Sequence, residues 1–262
     1  MSKEAQPPHP TLVPTPLQPS NSDYNFVTFL CNKPLNVVCS TVDKTPAGIQ
    51  RGKACLAGID SPVYRKTIWD IASENGFPCE NVGLMGRLDV DTSGICLFTN
   101  DSKLANAVRN PPEEGSALSN SVFKTKEYEL TLLSKMPFEE KEPFDVSKFE
   151  YEFSQPLSFS MKNVCHHCEK PSDVKVIKRF RDISLSRGRD NLGWVIVLRI
   201  VLREGKHHQI RRLAHRTGYH IVSLHRIMIS SILCVDSIPE PGQCRFVTTA
   251  ELTELYEGLL LA

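Results

Sequence analysis

Residues 86–94, with the sequence GRLDVDTSG, place an arginine and two carboxylates in one short segment bounded by glycines. Aspartate and glycine often form simple turns, because an aspartate side chain accepts hydrogen bonds from nearby backbone N–H groups and glycine tolerates positive φ. We favour that interpretation for Asp91. Asp89 differs, because Leu88 and Val90 flank it and an acid between apolar neighbours is expected to be half-buried, as carboxylates at functional sites commonly are. For Asp89 the pattern alone therefore leaves both interpretations open, a turn residue and a chemically active group.

Positive charge gathers in residues 199–226, which hold seven Lys and Arg residues against one acid, Glu204, although the whole chain has a formal net charge of +1. Such a local basic face is typical of contact with a phosphate backbone, and the alternative is a solvated helix face that merely carries charge. His207, His208 and Gln209 open the predicted helix in this segment. Because helix N-termini suit anions and polar side chains there can contact bases or phosphates, this position favours nucleic-acid binding.

Residues 165–168, with the sequence CHHC, have the C-x-x-C spacing of half a zinc site. No second pair lies at a convincing distance along the chain, and so short a segment would be strained if both cysteines and a histidine bound one ion. We therefore predict a surface loop at this position and no bound metal.

The chain has nine cysteines, an odd and scattered set without a secretory signal before them, which predicts reduced thiols in an intracellular compartment. No stretch approaches the apolar length of a membrane span, and no membrane partner is expected. Residues 1–22 are rich in Pro and Ser and are predicted to form a disordered tail. Glu4 and a first arginine only at Arg51 argue against an organelle-import peptide, so the expected location is the cytoplasm or the nucleus.

Strands and helices alternate irregularly along the chain, which predicts an α+β fold. Apolar runs and alternation predict strands, over residues 25–31, 37–41, 94–99, 126–133, 194–202 and 219–232. Helical spacing with start and stop residues predicts helices, over residues 67–76, after Asp101, over 207–218 and over 249–261. Residues 43–62 resemble a loop, and residues 134–193 contain only short strand-like pieces.

Four motifs resemble those of the RsuA/RluE-type pseudouridine synthases and occur in the same order. They are FLCNKPLNVVCST, GRLDVDTSGICLFTND, KEYEL and EGKHHQIRRLAHRTGYHIVSLHRIMI, which together span most of residues 24–233. The resemblance implies a mixed, mostly antiparallel central sheet with flanking helices and a central RNA-binding cleft. It also implies one catalytic domain over residues 23–262, with a family-variable insertion within 134–193.

The chain departs from the family pattern at three places. Asn36 stands where the family usually has glycine, and we expect the turn to survive because asparagine tolerates a left-handed conformation. His207 and His208 replace residues of the Arg or Asn type, which is expected to alter RNA contacts and leave the acid unaffected. The small N-terminal RNA-binding module of many members is expected to be absent before Tyr24.

The resemblance implies an enzyme that acts as a monomer without a cofactor and isomerises a uridine in RNA, with ribosomal RNA as the expected substrate. It assigns Asp89 as the essential aspartate, Arg211 as the arginine that pairs with it, and Tyr128 as the tyrosine that packs on the target base. Ile210 and Leu224 are expected to pack around that base. Further residues are predicted to contact RNA, namely Arg87, Lys33, Lys206, His208, Gln209, Arg212 and Arg226.

Two other functions compete with this one. A catalytically silent RNA-binding protein on the same fold would not need Asp89, Tyr128 and Arg211, because simple binding does not require a carboxylate facing RNA phosphates. A zinc-dependent deaminase would need an H-x-E and P-C-x-x-C arrangement. Val164 precedes Cys165 where that arrangement has proline, and no H-x-E occurs upstream.

Overall fold

The computed structural model of the chain describes residues 26–40, 65–109, 125–134, 144–181 and 194–260. The predicted N-terminal tail and the predicted loop over 43–62 lie outside these residues. In order along the chain, the strands are β1 Thr28–Lys33, β2 Gly83–Met85, β3 Ser93–Thr99, β4 Lys126–Ser134, β5 Leu157–Met161, β6 Val164–Cys168, β7 Asp173–Arg181, β8 Trp194–Leu202, β9 Tyr219–Ile229, β10 Leu233–Cys234 and β11 Cys244–Phe246. The helices are α1 Ile68–Glu74, α2 Ser102–Arg109, α3 Val146–Phe153, α4 Gln209–Arg216 and α5 Thr249–Leu260, with a 3₁₀ turn at Val235–Ser237.

Nine of these strands form one mixed sheet at the centre of the fold. Its order is β11-β1-β3-β9-β4-β8-β7, with β2 also paired to β3 and β10 also paired to β9. Every pairing is antiparallel except that of β3 with β9, which is parallel. The predicted α+β class and mostly antiparallel sheet are therefore confirmed.

The sheet separates two apolar cores, because successive side chains of a strand point to opposite faces. Strand β3 sends Cys96 and Phe98 into the core that α1, α3 and α4 cover, and it sends Ile95 and Leu97 into the core that α2 and α5 cover. A strand buried on both faces reads as a continuous apolar run, and the sequence ICLF at residues 95–98 has this character.

Helix starts follow from local capping. Thr67 and Asp70 form a capping box at the start of α1, which satisfies two backbone N–H groups that would otherwise lack partners. At α2, the predicted cap is present, because Asp101 Oδ1 accepts hydrogen bonds from the backbone N–H groups of Lys103 and Leu104. The other carboxylate oxygen of Asp101 accepts a hydrogen bond from the Tyr256 hydroxyl, which ties α5 to α2.

The strand predicted over residues 37–41 is wrong for its described part, residues 37–40. Val37, Val38 and Cys39 are buried, but Val38 makes only an isolated parallel bridge to Thr67. The chain leaves β1 through a turn at Asn36, whose φ of 64° is left-handed, and no neighbouring strand among the described residues runs alongside it here. Apolar character at these positions therefore reflects core packing in a loop.

The loop predicted at residues 165–168 is also wrong, because these residues form β6 of a hairpin with β5. Residues three apart on a strand point to opposite faces, and accordingly Cys165 is exposed and Cys168 is buried. The two sulfur atoms therefore cannot converge on one ion while β6 keeps this geometry. No group of three or more His, Cys, Asp or Glu residues that could hold a metal occurs within the described ranges.

None of the helices described is long and apolar enough to span a membrane.

Candidate active site

A cleft of about 770 Å³ opens beside the loop between β2 and β3. Its wall includes the loop that carries Asp89, the turn before α4, and side chains from β4 and β9. These segments are distant in sequence and meet because β9 lies between β3 and β4 in the sheet. The predicted residues Asp89, Tyr128, Ile210, Arg211 and Leu224 all line this one cleft.

Backbone hydrogen bonds hold the loop that carries Asp89, one within the loop and one from the turn after β1. The Thr92 backbone N–H donates to the Asp89 carbonyl at 3.1 Å, and the Asn36 backbone N–H donates to the Val90 carbonyl at 2.8 Å. Lys33 reinforces the arrangement, because its Nζ donates to the carbonyls of Val37 at 2.8 Å and Val90 at 3.4 Å. The backbone that follows Asp89 is therefore anchored to Lys33 and to the turn after β1.

Lys33 was predicted to contact RNA, and the structure corrects this. Its side chain is fully buried, and its ammonium donates to three backbone carbonyls, those of Pro34, Val37 and Val90. Burial lowers the pKa of Lys33, because removing a charge from water disfavours the ionised form. An ammonium whose three donors are already used inside the protein cannot bind a phosphate, so Lys33 supports the loop instead.

Arg211 and His208 hold the Asp89 carboxylate from the side of α4. Arg211 Nε lies 3.5 Å from Asp89 Oδ2, and His208 Nε2 lies 3.6 Å from the same oxygen. The Asp89 side chain keeps 41% of its surface exposed, so the carboxylate can reach a molecule in the cleft. The predicted contact between Arg211 and Asp89 is present, and His208 lies within ion-pair distance of the same carboxylate.

Arg211 is shared between two acids. Its NH2 group donates to Asp91 Oδ1 at 2.6 Å and to Thr92 Oγ1 at 3.1 Å. The contact with Asp91 is shorter than the contact with Asp89, and Asp91 is the more exposed acid. Asp91 thus acts as more than a turn residue, because it fixes the guanidinium that faces Asp89.

The apolar wall of the cleft comes from Tyr128, Ile210 and Leu224, which are all buried. Leu224 and Tyr128 lie on the neighbouring strands β9 and β4, while Ile210 lies on α4 one residue before Arg211. A flat apolar molecule placed beside Asp89 would contact these side chains.

Arg226 was predicted to contact RNA, and the structure corrects this too. It is 1% exposed, and its Nε donates to the Ile95 carbonyl at 2.7 Å while NH2 donates to the Gly86 carbonyl at 3.2 Å. Its guanidinium also hydrogen-bonds Tyr128. Arg226 therefore connects the tyrosine of the cleft to the strand and loop on either side of Asp89.

Gln209 is the third residue whose predicted RNA contact is corrected. It is 3% exposed, and its amide nitrogen donates to the Glu169 carbonyl and to Glu204 Oε1. Its amide oxygen accepts from the Lys206 backbone N–H. Because the amide is satisfied inside the protein, Gln209 shapes the turn before α4 and is not available to RNA.

The remaining predicted RNA contacts lie at the surface of this region. Arg87 is exposed at the edge of the cleft, and so is Lys206, whose ammonium is 3.8 Å from Glu204. Arg212 points away from Asp89, because its guanidinium lies 3.9 Å over the Phe159 ring of β5 and its Nε donates to the His207 carbonyl. Arg211 and Arg212 thus point in different directions, as adjacent residues of a helix do.

Two cysteines lie behind the acid loop, and sequence reasoning gave them no role. Cys39 borders the cleft and accepts a hydrogen bond from the Leu88 backbone N–H at 3.4 Å. A hydrogen bond from Cys96 lowers the pKa of Cys39, and the Leu88 N–H and the nearby cations Lys33 and Arg226 add to this effect against the opposing effect of burial. The Cys96 thiol, fully buried, has its pKa raised.

The arrangement combines a half-exposed carboxylate, two positively charged or polar partners for it, and an apolar wall for a flat group. Such a site suits a carboxylate that acts as nucleophile or general base on a planar heterocycle. Nothing in the described part of the cleft resembles a metal site, and no cofactor was expected from the sequence.

Comparisons with known proteins agree with this chemistry. A family model described as RNA pseudouridylate synthase matches residues 27–216. The chain is 26% identical over 231 residues to ribosomal small subunit pseudouridine synthase A of Escherichia coli strain K12. This match covers 87% of this chain and 73% of that protein. The chain is also 25% identical over 235 residues to an uncharacterised RNA pseudouridine synthase of Borreliella burgdorferi. That match covers 90% of this chain and 70% of the other protein.

The fold agrees as well. A crystal structure of a pseudouridylate synthase superposes with a TM-score of 0.56 at 20% identity, and the match covers 89% of this chain and 75% of that one. The fold and the family match define an RNA-modifying isomerase. The chain belongs to the RNA pseudouridylate synthase family, within its RsuA/RluE-type group, and its activity is RNA pseudouridine synthesis.

Proposed function

We propose that the chain converts a uridine of ribosomal RNA to pseudouridine and that Asp89 is the carboxylate on which the reaction depends. The observation that carries this proposal is the position of Asp89 in the cleft, 3.5 Å from Arg211 and opposite a buried tyrosine. Ribosomal RNA is proposed as the substrate because the similar Escherichia coli protein is named a ribosomal small subunit pseudouridine synthase.

The reaction breaks the bond between the uracil N1 and the ribose C1′, turns the base over, and joins it to the ribose through C5. The proton leaves C5, and no redox equivalent or added group is required. An ionised Asp89 can attack the nucleoside or remove a sugar proton. Either route needs a carboxylate with a fixed direction, which Arg211 and His208 supply by holding the same oxygen, Oδ2.

The base is proposed to lie against Tyr128, Ile210 and Leu224, whose side chains form the apolar wall. Tyr128 is the candidate for the proton transfer at C5. Its hydroxyl is held by Arg226, so Arg226 is a positioning residue in this scheme. A uridine stacked in a helix cannot reach the cleft, and we therefore expect it to be flipped out of its RNA.

RNA contacts are proposed for Arg87, Lys206 and Arg212, which lie at the surface around the cleft. The monomeric state, the location in the cytoplasm or nucleus, and a family-variable insertion within residues 134–193 remain our predictions. Helix α3 and the β5–β6 hairpin fall in that segment.

The substitution Asp89→Asn tests the central claim. It preserves size while removing charge and basicity, so we expect release of tritium from RNA labelled at uracil C5 to fall by roughly 10³-fold or more. Folding and RNA affinity should change little. Asp173→Asn, at an exposed position at the start of the edge strand β7, is the matched control. Near-normal tritium release from the Asp89→Asn enzyme would remove Asp89 from the reaction. Sequencing of pseudouridines in ribosomal RNA, with and without the gene, tests the substrate.

A further inference from the structure

Two histidine rings form a parallel pair at the edge of the cleft. The centroids of His207 and His208 are 3.9 Å apart, with 15° between the ring planes. Both residues are exposed and both line the cleft. His208 is the inner ring, because its Nε2 is 3.6 Å from Asp89 Oδ2. His207 is covered on one side by His208, and its exposure leaves the other side accessible to a flat ligand.

The backbone holds this pair in an uncommon conformation. His208 has φ 54° and ψ 28°, which is left-handed, and its side chain makes no capping hydrogen bond to α4. A non-glycine residue in this region is uncommon, and such strain persists where the surrounding structure imposes it. Here the buried Gln209 fixes the turn, and Arg212 Nε bonds the His207 carbonyl at 3.3 Å.

The outer ring is suited to stacking on an uncharged base. Partial desolvation, followed by the neighbouring His208, lowers the pKa of His207 below its usual value, against the effect of Asp89. At neutral pH His207 is therefore mostly a neutral imidazole. The cations Arg87 and Arg212 are close enough to influence it, so a phosphate attached to a stacked base would meet positive charge beside the ring.

We propose that His207 is a stacking site for an unpaired nucleobase that flanks the target uridine, with His208 supporting the ring from behind. Single-stranded RNA is recognised by stacking of splayed bases on aromatic and histidine rings. The pair lies beside Asp89, so the nucleotide next to a uridine in the cleft is the one within reach. This inference rests on RNA pseudouridine synthesis as the activity and adds a determinant of which sequence context the enzyme accepts.

The experiment measures binding of a short single-stranded oligoribonucleotide of adenosines with one central uridine, by fluorescence anisotropy. In companion oligonucleotides, each adenosine next to the uridine is replaced in turn by an abasic ribose. For the unmodified protein, loss of the stacked base should weaken binding by roughly 10-fold. The His207→Ala protein should bind the intact oligonucleotide roughly 10-fold more weakly than the unmodified protein does. Its affinity should not fall further when the same adenosine is replaced by the abasic ribose.

Two further variants make the result specific. His207→Phe keeps a flat ring and loses the nitrogens, so it should retain both the affinity and the sensitivity to the abasic position. His220→Ala, an exposed histidine on β9 that does not line the cleft, should behave as the unmodified protein. Melting curves establish that each variant is folded.

The proposal is overturned if His207→Ala still loses affinity at the abasic position as the unmodified protein does. It is also overturned if His207→Phe binds as weakly as His207→Ala, because the ring would then act through a nitrogen, as in a phosphate contact. The same oligonucleotides tested on Asp89→Asn separate this claim from the catalytic one. A normal abasic effect in that variant, without tritium release from RNA, supports the stacking site independently of the acid.

Discussion

Arg211 determines the geometry of the acid more directly than any other side chain described in the cleft. Its guanidinium contacts Asp89, Asp91 and Thr92 at once, and it is 23% exposed. The carboxylates that it joins would repel each other without it. Loss of Arg211 should therefore affect turnover more than it affects RNA affinity.

We predict that Arg211→Ala lowers turnover by about 100-fold, because a small displacement of a reacting group can cost this much, and that RNA affinity changes less. The matched control is Arg212→Ala, since Arg212 lies over Phe159 and away from Asp89. Its turnover should stay near normal while RNA binding weakens modestly. The measurement is turnover together with RNA affinity, over a series of salt concentrations. The reverse pattern would contradict the roles given to both arginines.

The Cys39 thiol should react with small electrophiles. Because the pKa of Cys39 is lowered, it becomes the nucleophilic thiolate at a lower pH than an ordinary cysteine, whose pKa is about 8.5. Because Cys39 borders the cleft, we expect its alkylation by iodoacetamide, followed by peptide mass spectrometry, to reach half its maximum rate at a lower pH than that of an ordinary cysteine. RNA bound in the cleft should slow it, and Cys39→Ser removes the labelled peptide. A midpoint close to that of an ordinary cysteine would contradict this environment for Cys39.

The sequence motifs correctly predicted which residues meet at the acid. They were a poorer guide to which cations are exposed to solvent. Asp89 and Arg211 were assigned from motifs and do make contact. Lys33 and Arg226 belong to the same set of motifs, but they are buried because backbone carbonyls and Tyr128 provide partners there. Those partners come from other elements, and a linear sequence does not reveal them.

At the scale of elements, strands β3 and β9 approach each other very closely at Gly94. Gly94 lies opposite Arg226 in the parallel pairing, and it has a φ of 112°. A Cβ atom at this glycine would lie 2.3 Å from the Arg226 carbonyl oxygen and 2.5 Å from its nitrogen. Only a residue without a side chain allows the strands to approach this closely.

We therefore predict that Gly94→Ala destabilises the protein by about 3 kcal/mol or more, which corresponds to a fall in melting temperature of roughly 6 °C or more. Gly205→Ala is the control, since no atom lies within 4 Å of the place that a Cβ would occupy there. Its effect should stay within about 0.5 kcal/mol. Thermal unfolding followed by circular dichroism measures both. Equal melting temperatures for the two variants would contradict the strain assigned to Gly94.

Prediction of elements succeeded where the pattern was long and failed where it was short. The strand predicted over residues 194–202 coincides with β8, which pairs with a neighbouring strand on each side. Residues 37–40 have the same apolar character over a shorter length, yet they form a loop, because strand formation needs a neighbouring strand to accept the hydrogen bonds. Residues 165–168 form a strand despite their polar composition, since β5 provides that neighbour.

At the scale of the whole molecule, charge is balanced overall and uneven locally. The net charge is +1, so long-range attraction to RNA must come from cations around the cleft, such as Arg87, Lys206 and Arg212. Each phosphate contact with single-stranded RNA contributes a slope of about −0.7 to the dependence of log affinity on log salt. Three such contacts give a slope of roughly −2.

We predict that Arg87→Ala reduces that slope by about 0.7, and that Lys103→Ala leaves it unchanged. Lys103 is also exposed, but it belongs to α2, which covers the core on the other side of the sheet from the cleft. Affinities for single-stranded RNA at several salt concentrations provide the slopes. If the slope fell by the same amount in both variants, RNA binding would depend on the net charge of the protein and not on the cations around the cleft.

The parallel contact of β3 with β9 also bears on when the enzyme becomes active during its own synthesis. Ser93 and His225 are hydrogen-bonded across 132 positions of the chain, and Asp89 meets Arg211 across 122. A nascent chain that has left the ribosome only as far as β8 carries the acid without its partner. Contacts of such long range also slow folding, because the intervening chain must be ordered before they form. The catalytic site is thus completed late, after nearly the whole sheet has been translated.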